Sequence, residues 1–178
     1  MLFKNTYERF GIIAILLHWI MAILIIGMLI LGIYMTDLPK SLLKLKYYGW
    51  HKEFGLLVLA LVIIRLSWRL LNVTPALSLP LWEKLGAHAS HYALYIFMFA
   101  MPLTGWIMTS AAGLPPSFFG LFVLPPITQP NQEVRELFQQ IHGWLAYALI
   151  AFITLHVLAA LKHHFINKDN ILRRILSP

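Results

Sequence analysis

The sequence predicts an all-α integral membrane protein, a four-helix bundle with both termini on the cytoplasmic side. Three observations carry this prediction. Of the 178 residues 60% are hydrophobic and the mean hydropathy is +0.73, more apolar surface than a soluble domain of this length can bury. Charged residues make up only 12% and gather between the apolar runs instead of marking one polar face along each. Four of those runs reach the roughly 20 residues needed to cross a bilayer, so one transmembrane domain accounts for residues 1–178.

The first span is expected over residues 12–35. Lys4 and Arg9 ahead of it imitate a signal peptide, but the run is too long for a signal core and lacks a small-x-small cleavage site, so it reads as a retained span. The second occupies residues 50–71. The third, residues 90–110, contains Pro102 and Gly105, a tolerable kink because neighbouring helices satisfy the freed carbonyl groups. Between it and the fourth span, residues 141–161, lies a connection with Pro115, Pro116, Pro125, Pro126 and Pro130 around SFFGLFVL. That apolar stretch is too short to cross a bilayer and is expected at the outer interface or folded over the bundle end, where it would cap a cofactor. Its last part, NQEVRELFQQ, has helical spacing and is expected to form a short surface helix leading into the fourth span.

Orientation follows from the cations. With the N-terminus inside, Lys4, Arg9, Arg65, Arg69, Lys84, Lys162, Lys168, Arg173 and Arg174 face the cytoplasm, against Lys40, Lys44, Lys46, Lys52 and Arg135 outside. The excess of Lys and Arg, 14 against 7 Asp and Glu, therefore reads as topology, and no nucleic-acid-binding motif accompanies it. The absence of cysteine excludes disulfides, iron–sulfur clusters, thiolate-ligated haem and covalent c-type attachment, which leaves histidine as the metal ligand.

Eight histidines in so apolar a chain need a reason, because ionisable groups at membrane depth are expensive. His142 and His156 of the fourth span are 14 residues apart. That spacing returns to within about 40° of one helix face and separates them by roughly 21 Å, too far for one metal centre and suitable for two stacked cofactors. Depth then pairs His18 with His156 near the cytoplasmic surface and His51 with His142 near the outer one. Two imidazoles from facing helices suit the axial positions of haem b, and the bundle interior suits its apolar body. A carboxylate di-iron centre lacks its Glu-x-x-His sets, and zinc would have only two ligands at each level. Lone histidines can also simply hydrogen-bond across helices, and His51 at a span boundary suits an interfacial residue.

His88 and His91 share a face near the cytoplasmic start of the third span. Either can replace His18 opposite His156, bind a haem propionate or donate protons to a redox substrate. His163 and His164, beside Lys162, read as solvated anchors. Arg65 and Arg69, with Trp68 between them, read as belt anchors or as charge-assisted partners of propionates or a quinone carbonyl.

LLHWI, GWHKEFG with VIIRLSWR, GAHASHYALY, and IHGWLAYALIAFITLHVLAALKHHF with the tail NKDNILRRI together resemble the bacterial cytochrome b561 family of small inner-membrane diheme proteins over nearly the whole chain. The resemblance implies two haem b groups with His18, His51, His142 and His156 as axial ligands of iron. It further implies quinone-linked electron transfer and, for one kind of member, superoxide:ubiquinone oxidoreductase activity. A physical motive exists: Lys40, Lys44, Lys46, Lys52 and Arg135 would attract a small anion arriving from the periplasm, or else anchor anionic lipid. Two other readings stand beside it, a cytochrome b subunit taking electrons from a periplasmic dehydrogenase or hydrogenase, and a haem-free tetraspan transporter or assembly factor.

Overall fold

The computed structural model describes residues 3–76 and 79–177. Helix α1 runs Ile12–Asp37, α2 Leu42–Leu71, α3 Leu81–Ala111 and α4 Gln132–Lys162, and all of them are long and apolar enough to cross a membrane. A β-hairpin, β1 Ser117–Phe118 and β2 Phe122–Val123, interrupts the connection between α3 and α4, and a short α5, Arg173–Leu176, closes the chain.

Local chemistry explains where each helix stops. Helix α1 ends at Leu38, held extended by the following Pro39, and α2 begins at once with Ser41 Oγ accepting from the Lys44 amide at 3.2 Å. At the far end of α2 the Asn72 side chain donates to the Trp68 carbonyl at 2.9 Å, satisfying one of the orphan acceptors of the last turn. Helix α3 closes in a Schellman motif. Gly113, at φ +72°, sends its amide to the Ser110 carbonyl while the Leu114 amide reaches Thr109. Asn131 caps α4 by accepting from the Val134 amide at 3.1 Å. That cap starts the helix at Gln132, so NQEVRELFQQ is the first part of α4 rather than a separate surface helix.

Helices adjacent in sequence pack side by side, α3 on α4 most extensively, then α1 on α2 and α2 on α3. Their shared core is small: Met21, Val62 and Met98 are buried together at mid-bundle, with Leu59, Tyr95 and Phe99 packed around them. Most large apolar side chains face outward, as lipid allows and water would not.

The two ends of the bundle differ. At the hairpin end the Phe119 ring packs on Phe54 of α2 at 5.2 Å, and Trp106 Nε1 donates to the Pro125 carbonyl at 3.1 Å, so the proline-rich connection folds back over the helices. Its tip turns through Phe119 and Gly120, both at positive φ. At the terminal end, where the chain begins and finishes, Asn5 donates to the Val73 carbonyl, Trp19 Nε1 to Ile175 and Arg174 to Ala76. Ion pairs of Lys162 with Glu83 at 2.8 Å and His163 with Asp169 at 2.6 Å lie at this end too, the latter where α4 runs into one wider, π-type turn, His163–Asn167.

Candidate functional site

Two pairs of imidazoles meet inside the bundle. His18 of α1 faces His156 of α4 with ring centroids 6.3 Å apart, and His51 of α2 faces His142 of α4 at 6.2 Å. A metal–imidazole nitrogen bond is about 2.0 Å and that nitrogen lies about 1.1 Å from the ring centre, so two imidazoles on opposite sides of one metal ion have centroids about 6.2 Å apart. Both pairs have this spacing. The pairs sit toward the terminal and hairpin ends respectively, with the Met21, Val62 and Met98 core on the helix segments between them.

His142 is the best oriented of the four. Its Nδ1 is 2.9 Å from Thr104 Oγ1, and Thr104 in turn is 2.9 Å from the Met101 carbonyl. The carbonyl can only accept, so the single hydroxyl proton goes to it and Oγ1 accepts from His142 Nδ1–H. Nε2 is then the nitrogen with a free lone pair, the arrangement that metal-ligating histidines ordinarily show. Opposite it, His51 Nδ1 is buried and makes no hydrogen bond, an unmet polar group in the interior. Glycines make room for both rings. A Cβ at Gly32 of α1 would stand 3.2 Å from His51 Cε1, and one at Gly105 of α3 would stand 3.6 Å from His142 Cε1.

The other pair has a charged neighbour. Arg65 Nη2 is 2.9 Å from His18 Nδ1, and because a guanidinium only donates, Nδ1 accepts in this arrangement. His91 also touches His156, edge to face, but at 5.5 Å between centroids. That separation is shorter than the spacing of trans ligands, so geometry favours His18 as the partner of His156 across one metal ion and leaves His91 a flanking residue. His88 lies farther out, 6.5 Å from the Tyr92 ring and against neither pair. Among the described residues no group of three His, Cys, Asp or Glu side chains is placed to hold a metal ion, so none of them makes a closed tetrahedral donor set. Paired neutral imidazoles in an apolar bundle fit the axial demands of haem b.

Beside the His18 and His156 pair, Arg65 and Arg69 both lie over the Tyr95 ring, at 5.7 and 5.6 Å. A groove of about 590 Å³ opens between α2 and α3 here. Leu70, Tyr92 and Ile96 form its exposed mouth, and Arg69, His91 and Tyr95 bring polar groups to its lining. At the hairpin end Lys44, Lys46 and Arg135 each have a partner of their own. Lys44 Nζ donates to the Thr36 and Leu38 carbonyls, at 3.0 and 2.7 Å, and so closes the end of α1. Lys46 stacks on Trp50 at 4.8 Å, Arg135 leans on Gln132, Lys40 is exposed and Lys52 half-buried.

Sequence reasoning passed over Thr104, Gly32 and Tyr95. A threonine or glycine in an apolar span carries no periodic signal of its own, and only the facing histidine gives it meaning. The one available clue was Thr104 and Gly105 beside Pro102, which marked that turn of α3 as unusual.

Residues 9–178 match the prokaryotic cytochrome b561 family. Among curated relatives, the chain is 36% identical to cytochrome b561 homolog 2 of Escherichia coli, over 99% of this chain and 95% of the relative. It is 33% identical to cytochrome b561 homolog 1 of the same organism, over 95% and 97%. A protein of Yersinia pestis named probable superoxide oxidase CybB is 28% identical over 96% and 97%.

Proposed function

The chain belongs to the prokaryotic cytochrome b561 family of membrane electron-transfer cytochromes, which bind haem b, and we propose that it is a diheme member passing electrons to the quinone pool. It is a multi-pass protein of the bacterial inner membrane. One observation carries the diheme reading: two imidazole pairs at opposite ends of the bundle, each at the spacing of trans ligands on one iron. Haem b supplies reversible one-electron transfer when bound. The chain's own part is to hold it, with His18 and His156 at the terminal end and His51 and His142 at the hairpin end, and to keep water away with the lipid-facing helices.

The cation distribution supports a cytoplasmic terminal end, with nine of the 14 Lys and Arg there: Lys4, Arg9, Arg65, Arg69, Lys84, Lys162, Lys168, Arg173 and Arg174. Quinone enters the α2–α3 groove from lipid through its apolar mouth. His91, Tyr95 and Arg69 meet its carbonyl groups beside the His156 ring. At the periplasmic end the electron donor is superoxide, drawn in by Lys40, Lys46, Lys52 and Arg135. The name of the Yersinia relative supports that choice.

The test is spectroscopic. Purified protein is expected to carry about two haem b by pyridine hemochrome, with His51→Ala and His156→Ala each losing a different one while the other keeps its reduced α-band. A colourless, well-folded preparation, or one haem per chain, would refute the reading. Reduction of a short-tailed ubiquinone by superoxide in the isolated protein tests the two substrates.

A further inference from the structure

Arg65 and Arg69 sit one helical turn apart on α2, and neither meets a carboxylate: among the described residues the ion pairs are Lys162 with Glu83 and His163 with Asp169. Cations at membrane depth without a counter-charge are costly, so this pair calls for an acidic or strongly polar partner from outside the chain. The two arginines have different addresses. Arg69 lines the groove between α2 and α3, whereas Arg65 reaches inward to within 2.9 Å of His18 Nδ1.

That inward contact is incompatible with a ligating His18. A neutral imidazole bound to metal through Nε2 carries its proton on Nδ1, and a guanidinium has no lone pair to receive it, so two donors would face each other. Arg65 must then find another acceptor within reach of the same imidazole pair. Its planar fork matches a carboxylate best. Haem b carries two propionate carboxylates and would supply such a group when bound, whereas among the described residues no carboxylate pairs with Arg65.

We propose that Arg65 clamps a propionate of the haem held by His18 and His156, while Arg69 serves the ligand of the groove, so that two neighbouring arginines with one shared aromatic neighbour do separate jobs. The assignment rests on the diheme reading. The shared chemistry is an anion at Arg65, which a lipid phosphate could also supply, and the experiment separates the two sources.

Haem release from the detergent-purified holoprotein to apomyoglobin is followed for wild type, Arg65→Met, Arg65→Lys and Arg69→Met. Wild type is expected to release in two phases, one per haem; a single phase, or one haem per chain, would show that the diheme reading has failed and with it the ground for the clamp. Arg65→Met is expected to speed one phase about tenfold and leave the other alone, with Arg65→Lys in between. Arg69→Met leaves both phases at the wild-type rate and instead raises the KM for a short-tailed ubiquinone. The same chains produced in haem-depleted cells and loaded with haem dimethyl ester, which has no carboxylate, close the cycle. The ester speeds the same phase in wild type and adds nothing in Arg65→Met. An ester effect of equal size in both proteins would overturn the clamp and leave lipid phosphate as the anion, and so would unchanged release from Arg65→Met. Equal acceleration by Arg69→Met would overturn the division of labour. Where Arg65→Met fails to fold, as judged by loss of the outer haem as well, Arg65→Lys with haem and with ester decides in the same way.

Discussion

Adding one methyl group at Gly32 tests whether the space beside His51 is set by its function. The Cβ of Gly32→Ala would lie 3.2 Å from His51 Cε1, inside the roughly 3.5–4.0 Å of a comfortable carbon–carbon contact, and the α1 backbone that carries it cannot yield. The ring has to give by a few tenths of an ångström. Overpacking of this kind costs about 1–3 kcal/mol, whereas replacing a mid-helix glycine by alanine returns about 0.8–1 kcal/mol of helix propensity. Whole-protein stability is therefore expected to fall by about 0–2 kcal/mol, a small change. The cost to the site is larger, because nothing in the helix gain helps His51. A loss of about 1–3 kcal/mol weakens the haem held by His51 and His142 about 5- to 150-fold. Gly105→Ala is the control, since its Cβ would meet His142 Cε1 at an ordinary 3.6 Å. Pyridine hemochrome and apomyoglobin capture, run on both variants, measure the difference. The reasoning is refuted if Gly32→Ala releases both haems at wild-type rates, or if Gly105→Ala loses the outer haem just as readily.

Thr104→Val keeps the shape of the side chain but leaves the His142 Nδ1–H without its acceptor, a buried unmet donor worth about 1–3 kcal/mol. A less polarised imidazole is a weaker donor to ferric iron, so one of the two midpoint potentials in a redox titration is expected to move positive, and Thr104→Ser to restore it. If superoxide is steered to the periplasmic end, its oxidation rate falls as the screening length shrinks from about 10 Å at 0.1 M salt to about 3 Å at 1 M. Lys46→Gln and Lys52→Gln flatten that dependence, and a rate indifferent to salt would sink the steering argument.

Much of the architecture could be read from hydropathy, because lipid imposes one rule on every span. The histidine pairs were legible for a related reason. A single helix, α4, carries both His142 and His156, so their 14-residue separation converts directly into shared face and depth. What was not legible depends on two chain segments meeting. The 5.5 Å contact of His91 with His156, closer than the spacing of His18 with the same ring, cannot be had from α3 alone. The same holds for the hydrogen bonds that spend Lys44 on the carbonyls of α1, since a lysine in a basic loop gives no hint that it caps a neighbouring helix. The β-hairpin escaped notice because its strands are two residues each and its turn uses Phe119, a residue type that rarely adopts positive φ.

The division of work among the helices explains why the two haems, bound as proposed, should behave independently. Helix α4 acts as a ruler: with both of its histidines on one rigid element, the distance between levels is about 21 Å whatever the neighbours do. The opposite imidazoles come from different helices, His18 from α1 and His51 from α2, so a shift of either helix disturbs one pair and spares the other. Helix α3 supplies no member of either imidazole pair, yet it packs on α4 more extensively than any other pair packs. It places Thr104 and Gly105 against His142, and His91 against His156. It therefore orients what α4 positions, with neutral groups at the hairpin end and, through Tyr95, a cationic cluster at the terminal end. With Arg65 paired to a propionate as proposed, Arg69 still keeps positive charge beside an electron that reaches the second environment. That favours its arrival beside the groove, where the proposed quinone would take it.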